Sequence, residues 1–318
     1  MSGEVQQTPA GEQPERRGGP VLPGTDAPLA AGELVLLLDR KGRRYLIDLE
    51  PGAEWHSHGG LIAHDDLIGV PEGTAVRTSK AMEVVVLRPT REDVVLKMKR
   101  GAQVVYAKDQ AMIVASADVR AGCTVVEAGA GSGALTLALL AAVGREGRVI
   151  SFERREDHAR IARRNVERFH GEVPDNWELV VGDVVEELPG RRPHRIVLDL
   201  LEPWLVVPAV ADALAPGGIV LGYMPGVPQV MRFTDTLWAD GGFAQLRTTE
   251  TLVRPWDVDG LAVRPAHRMV AHTAFLTTAR RVPRRDEGGP SRRRRKADTG
   301  GHVDWLASDA TRAAEDPS

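Results

Sequence analysis

Aromatic residues are scarce in this 318-residue chain: Phe, Trp and Tyr together make up 4%, and only three are tyrosines. A hydrophobic fraction of 42% still supplies a core, so aliphatic side chains must fill most of it. There is one cysteine, Cys123, which excludes an internal disulfide. Its place just before the strand-like Thr124-Val125-Val126 reads as a small buried residue, in keeping with a reducing compartment. Long apolar runs are also absent. The first 30 residues contain none, and Leu34–Leu38 is far too short to span a bilayer. These readings lead us to expect a cytoplasmic protein. Nor is there a strong excess of charge: the net value of −3 does not advertise a nucleic-acid binder. The charge is unevenly spread, however. Residues 280–296 hold nine Arg and Lys against two acids, a basic tail that either makes non-specific phosphate contacts or is simply solvated.

What is present is concentrated in Val125-Val126-Glu127-Ala128-Gly129-Ala130-Gly131-Ser132-Gly133-Ala134. Two β-branched residues end a buried strand, a glycine-rich turn follows, and Leu135 onward opens a helix. Alternate glycines let backbone pass close to a ligand, and the free amides of a helix start suit an anionic group. The segment is therefore read as a nucleotide-type cofactor site. Gly129-x-Gly131-x-x-Ala134 also fits a dinucleotide fingerprint, which alone is a weak signal. S-adenosylmethionine is favoured because Glu127 sits at the strand tip, where a carboxylate suits a cationic cofactor and would repel a pyrophosphate.

Along the chain, residues 1–28 are rich in Gly, Pro, Gln and Glu and are expected to be disordered. Glu33–Leu38 and Tyr45–Leu49 flank a hairpin signal, and short β segments follow near Leu61-Ile62, Thr74–Thr78 and Glu83–Arg88. Residues 29–88 are thus read as a small β domain. A capping-box pattern, Thr90-x-x-Asp93, starts a helix after Pro89. Residues 89–281 then alternate strand and helix, which predicts an α/β fold: a Rossmann-like, mostly parallel sheet with helices on both faces. Residues 282–318 are read as a basic, disordered tail.

Ligands of such sheets bind beyond the carboxyl ends of the strands, and Glu127, Glu153, Asp183 and Asp199 all fall at predicted strand ends. Four like charges around one crevice are costly unless a ligand uses them. Glu153, at the usual distance from the glycines, suits ribose hydroxyls. Asp183 suits the adenine amino group. His158 either packs on the adenosine or is a solvated helix residue. Asp199 opens Asp199-Leu200-Leu201-Glu202-Pro203-Trp204, where a catalytic loop belongs. His56-Ser57-His58 and His64-Asp65-Asp66 form no tetrahedral ligand set, so no metal is expected.

Four segments carry a family resemblance: Glu127-Ala-Gly-Ala-Gly-Ser-Gly, the Asp199-Leu-Leu-Glu-Pro-Trp loop, Arg100–Asp109 with Gln103 and Tyr106, and the late Arg264-Pro to His272-Thr-Ala-Phe-Leu. Together they resemble the bacterial and archaeal tRNA (adenine-N1)-methyltransferases, which modify adenosine 58 of the T-loop. The resemblance spans roughly residues 30–281. It implies S-adenosyl-L-methionine as cofactor, tRNA as substrate and a homotetramer. It further implies that Ser132, Gly133, Ala134 and Leu135 touch the methionine part, that Glu153 binds the ribose and that Asp183 lies on the adenine side; Gly129 and Gly131 remain cofactor-site candidates from the glycine pattern. Asp199 would be the catalytic-site aspartate, with Gln103 and Tyr106 bordering cofactor and target base. Lys97, Lys99, Arg100 and Lys108 are candidate RNA contacts or an ordinary solvated face. Three rival readings are an NAD(P)-dependent oxidoreductase, a methyltransferase with another acceptor, and a non-catalytic RNA-binding subunit. The first leaves Glu127 and the Asp199 loop unexplained. The second leaves the β domain and the His272 segment unexplained, and the third is at odds with the intact glycine loop and acids.

Overall fold

Alternating and clustered β-branched residues in the first ninety positions form short antiparallel strands. The computed structural model describes residues 22–101 and 103–284, which divide into two units. The first runs to Arg88 and includes Glu167–Pro174. Its strands are β1 (Leu34–Asp39), β2 (Arg44–Asp48), β3 (Glu54–Ser57), β4 (Gly60–Ala63), β5 (Ala75–Arg77) and β6 (Glu83–Leu87). They make a four-stranded antiparallel sheet in the order β2-β1-β6-β5 and a separate β3–β4 hairpin. Leu29, Val35, Leu37, Leu49, Ile62, Leu67, Val84 and Val86 fill the core, and Trp55 packs on Tyr45 with ring centroids 5.0 Å apart.

Arg88 is only 4% exposed. Its guanidinium is satisfied by Glu33 and Glu72 and by the carbonyls of Ala27 and Pro28 at 3.1 and 3.2 Å. Ala27 and Pro28, at the end of the segment expected to be disordered, are held by these bonds; residues 1–21 and the tail after Arg284 lie outside the described residues. The histidines have ordinary partners: Nδ1 of His64 accepts from Glu50 N at 3.0 Å, His58 meets Arg43 at 2.8 Å, and His56 pairs with Glu54.

The second unit opens with α1 (Arg91–Lys97), whose Thr90–Asp93 capping box forms as expected, and α2 (Ala107–Ser116). Then follow β7 (Thr124–Ala128), α3 (Ala134–Val143), β8 (Arg148–Glu153), α4 (Glu156–His170), β9 (Trp177–Val181), α5 (Val184–Glu187), β10 (Arg195–Leu198), α6 (Val207–Ala213) and β11 (Ile219–Met224). The last elements are α7 (Val227–Asp240), β12 (Phe243–Glu250), β13 (Trp256–Asp259), β14 (Ala262–Pro265) and β15 (Phe275–Arg281). Seven strands pair in the order β12-β15-β11-β10-β7-β8-β9; β7 to β11 run parallel, and β15 is antiparallel to both neighbours. The order reverses between β7 and β10, the switch point where a crevice opens beyond the strand ends.

Sequence dictates which helices sit where. In α3, Ala, Leu and Val on every side make it buried nearly all round. In α4, His158, Ala159, Ala162, Asn165 and Val166 recur at helical spacing and form the buried stripe, with acids in its first turn and Arg168 and His170 in its last. Cys123 is buried, as read from its neighbours. Arg280 and Arg281 belong to β15 rather than to a solvated tail: buried Arg281 donates to Ala211 O at 2.7 Å and Gly242 O at 3.1 Å. The β13–β14 hairpin, not anticipated from sequence, turns at Gly260-Leu261 and is exposed from Trp256 to Arg264.

Candidate active site

The switch point is built from backbone first. Beyond the end of β10, Asp199 N donates to Ala128 O at 2.9 Å, so the tips of β10 and β7 stay paired. The chain then turns at Gly129, whose φ is +94°. A Cβ built there would lie 2.2 Å from Asp199 O; only glycine lets the loop pass. Gly129 N and Ala130 N both donate to Phe152 O, at 2.9 and 3.2 Å. Gly131 N donates to Glu153 Oε2 at 2.9 Å, and Arg155 N to Oε1 at 3.0 Å. Gly133 caps α3 with no side-chain acceptor, leaving the first-turn amides of Ala134 and Leu135 for a ligand.

Supporting residues fix this loop. Asn165 Nδ2 donates to Ser132 O at 2.8 Å and Lys99 O at 2.9 Å, and Ser132 Oγ accepts from Gly101 N at 3.2 Å. His158 is buried, with its ring 2.9 Å from where a Gly101 side chain would begin. The solvated alternative for this histidine is therefore wrong: it is buried and packs beside Gly101.

Three of the four acids sense one another. Glu127 is fully buried, and its Oε2 accepts from Thr136 Oγ1 at 2.6 Å and Ser151 Oγ at 2.5 Å. Its other oxygen, Oε1, is buried and has no hydrogen-bond partner among the described residues. Burial, with Asp199 and Glu153 nearby, pushes the Glu127 carboxyl up to about 7 against the pull of those two hydroxyls. Burial and the charge of Glu153 push half-buried Asp199 to about 7 as well. Asp183 is engaged otherwise: Oδ1 accepts from Val185 N at 2.8 Å, capping α5, and Arg154 lies 3.6 Å from Oδ2. Asp183 is thus partnered by a backbone amide and an arginine rather than by the other three acids.

Tyr106 is the N-cap residue of α2, and Gln103 Nε2 donates to its hydroxyl at 3.5 Å. The sequence reading missed Tyr223, at the carboxyl end of β11. It is 8% exposed and within electrostatic reach of Asp199, Tyr106 and Asp109; burial raises its phenol, so it stays a proton donor. Its position as a hydroxyl-bearing residue on a parallel strand tip was the available signal. Lys108 is corrected: its side chain is 8% exposed and ion-paired with buried Asp109 at 2.8 Å, so it is no RNA-facing cation. Arg100 is exposed, but its guanidinium is turned onto the carbonyls of Val95 and Leu96 at 3.3 and 3.1 Å. Lys97 and Lys99 remain exposed. His272 places Nδ1 2.7 Å from Glu250 Oε1 and Nε2 2.8 Å from Pro225 O. Two acceptors facing both nitrogens favour the imidazolium, and its pKa is raised accordingly.

A buried carboxylate oxygen without a partner, an uncapped helix start and a loop that only glycine can thread together fit a ligand carrying both a cation and a carboxylate. Among the described residues no His, Cys, Asp and Glu group could hold a metal ion, and no helix is long and apolar enough to cross a membrane.

The chain is similar to known proteins in sequence and in fold. The family described as "tRNA methyltransferase complex GCD14 subunit" matches residues 83–263, and the family "TrmI-like N-terminal" matches residues 28–76. The tRNA (adenine(58)-N(1))-methyltransferase TrmI of Thermus thermophilus is 39% identical over 248 residues, covering 78% of this chain and 96% of the relative. The crystal structure of tRNA (m1A58) methyltransferase TrmI from Aquifex aeolicus superposes with a TM-score of 0.70 at 28% identity, covering 80% of this chain and 99% of that one. A SAM-dependent O-methyltransferase from Thermotoga maritima gives a TM-score of 0.76 at 31% identity, covering 85% and 97%.

Proposed function

The chain belongs to the tRNA methyltransferase family that includes TrmI, and from that premise we propose that it transfers a methyl group from S-adenosylmethionine to N1 of adenosine 58 in the T-loop of tRNA. The observation that carries this reading is the half-buried Asp199 carboxyl beyond the tip of β10 at the switch point, its backbone N bonded to Ala128 O and its charge felt by Glu127 and Tyr223.

The cofactor supplies an electrophilic methyl on a sulfonium. The chain supplies the rest. Glu127 Oε1 and the α3 amides around Ala134 and Leu135 receive the methionine end, with Gly129, Gly131, Ser132 and Gly133 shaping the passage. Glu153, already holding two backbone amides, takes the ribose; Asp183 and His158 border the adenine; Gln103 lies beside Tyr106. N1 of adenine has its own lone pair, so no strong base is required. Positive charge grows on the base as the bond forms, and a preorganised carboxylate beside it stabilises that charge. Asp199 accepts from the exocyclic amine and so aligns N1. Aligning two substrates can supply about 7–11 kcal/mol of the barrier. The adenosine must leave its paired position in folded tRNA to reach Asp199.

Labelled S-adenosylmethionine with an unmodified tRNA transcript tests the assignment. We expect 1-methyladenosine in that transcript and none in one with adenosine 58 replaced. Label in both would move the site; label in neither, with cofactor bound, would mean another acceptor.

The same reading gives residues 29–88 as the small β domain and 89–281 as the catalytic domain. It places the protein in the cytoplasm, where its tRNA is, and makes it a homotetramer. The β13–β14 hairpin supports assembly: Trp256, Val258, Leu261 and Val263 are all more than half exposed, an apolar patch of the kind that marks an interface. Mass photometry is expected to show four copies, and a Val258→Lys, Leu261→Lys variant smaller species. A monomeric wild type would refute the assembly.

A further inference from the structure

The connector between α1 and α2 carries Gln103 and ends on Tyr106, the N-cap of α2. Its described residues between Lys99 and Val105 make no backbone–backbone hydrogen bond. A stretch without such bonds opens at low cost unless side chains hold it. Three bonds do so. Lys99 O accepts from Asn165 Nδ2 at 2.9 Å, Gly101 N donates to Ser132 Oγ at 3.2 Å, and Val105 O accepts from Gln110 Nε2 at 2.8 Å. The third is local to α2. The other two converge on one residue of the glycine loop, because Asn165 Nδ2 also donates to Ser132 O at 2.8 Å. Both protons of the Asn165 amide are thereby spent, one on the connector and one on the loop. Asn165 is 7% exposed and lies in the buried stripe of α4. The same helix presses on the next loop residue: a Cβ on Gly133 would lie 3.2 Å from Ala162 O and from Val166 Cγ2.

We infer that Asn165 is a positioning residue: it fastens the α1–α2 connector to the glycine loop at Ser132, so that a cofactor filling the loop also orders the connector that leads to Gln103 and Tyr106. The physical link is Ser132, held by its hydroxyl to the connector and by its carbonyl to Asn165. A ligand on the neighbouring amides of Ala134 and Leu135 favours the loop in one arrangement. Whatever favours that arrangement favours the fastened connector, by the same factor in either direction. Neither amide bond of Asn165 serves α4 itself; both reach out to other segments. The response to cofactor rests on the methyl-transfer reading; the fastening does not.

Hydrogen exchange of the full chain, read by mass spectrometry with and without saturating S-adenosylmethionine, tests this. Without cofactor, Asn165→Leu should speed exchange over residues 99–106 about fivefold, the scale of one lost hydrogen bond. In the wild type, cofactor should slow exchange in the glycine loop, 129–137, and also in the connector, there by about fivefold, the low end of ordinary coupling between sites. In Asn165→Leu the loop should still be protected at saturation, while the connector changes by less than about twofold. A variant that merely loosened the fold would keep the cofactor's effect on the connector. A connector still protected by cofactor in Asn165→Leu overturns the proposal. So does a wild-type connector indifferent to cofactor while the loop is protected, or unchanged ligand-free exchange in the variant. If Asn165→Leu fails to fold, Ser132→Ala removes only the acceptor of Gly101 N. Its loop should be protected at saturation and its connector not; full connector protection there overturns the proposal as well. No effect of cofactor anywhere in the wild type would defeat the cofactor reading and the coupling with it, while the ligand-free comparison still decides the fastening.

Discussion

Asp199→Ala is expected to lower turnover roughly 10²–10³-fold, the usual cost of removing one preorganised electrostatic partner of the transition state. The fold should survive. Asp199 is half-buried and is pushed up to about 7 by burial and by Glu153, so its charge is a burden to the ligand-free protein. Removing it relieves that burden, and the melting temperature should hold or rise. A pH dependence follows with a definite sign. Both Asp199 and Glu127 have folded values raised to about 7, above the ordinary carboxylate range. The ligand-free protein therefore loses stability as pH rises from that range through about 7, where the folded carboxyls must ionise. A bound cation offsets the cost, so stabilisation by cofactor should be greater above about 7 than in mild acid. For the same reason kcat/KM should fall on the acid side of about 7 as Asp199 takes up a proton. Steady-state turnover across pH, with melting curves of both proteins, checks all of this. Near wild-type turnover in Asp199→Ala would remove the residue from the chemistry.

Gly129→Ala should be as damaging by a different route. The φ of +94° costs an L-residue on the order of 1–2 kcal/mol. The new methyl would also lie 2.2 Å from Asp199 O, a backbone atom that cannot swing aside. The Asp199 N to Ala128 O bond of 2.9 Å must then give, and the catalytic carboxylate moves with it. A total near ~3 kcal/mol would lower the melting temperature by roughly 6–12 °C at about 2–4 °C per kcal/mol. Cofactor titration and turnover should both collapse. Gly122→Ala is the control: φ is +82° with nothing within 4 Å of the added Cβ, so it isolates the backbone strain. Equal behaviour of the two variants would mean that the loop does not thread past Asp199 as described.

The α/β alternation was legible because each parallel strand is a short aliphatic run ending in a polar residue. The glycine loop was legible as a cofactor turn because alternate glycines let backbone pass close to a ligand, while the choice of cofactor needed Glu127 at the strand tip. The acids were legible because strand tips are where ligands sit. What was not legible depends on partners distant in sequence. Lys108 looks like a surface lysine until Thr251 and Thr273 close over it, 143 and 165 residues away. Tyr223 looks like an ordinary strand residue until the fold sets it near Asp199. His158 has the polar neighbours of an exposed helix position, yet its spacing matches the buried stripe of α4. The β13–β14 hairpin was legible in principle from Asp259-Gly260 between alternating residues, but Trp256, Val258, Leu261 and Val263 stay more than half exposed among the described residues.

The last described strand, β15, lies inside the sheet rather than at its rim, between β12 and β11. During synthesis β11 and β12 therefore emerge before the strand that joins them, and among the described residues β12 has no other neighbour. Until β15 arrives, two hydrogen-bonding edges stand open and compete for any extended segment nearby. At this side of the sheet the order of synthesis and the order of pairing run opposite to each other, so the sheet closes only once its last described strand has been made.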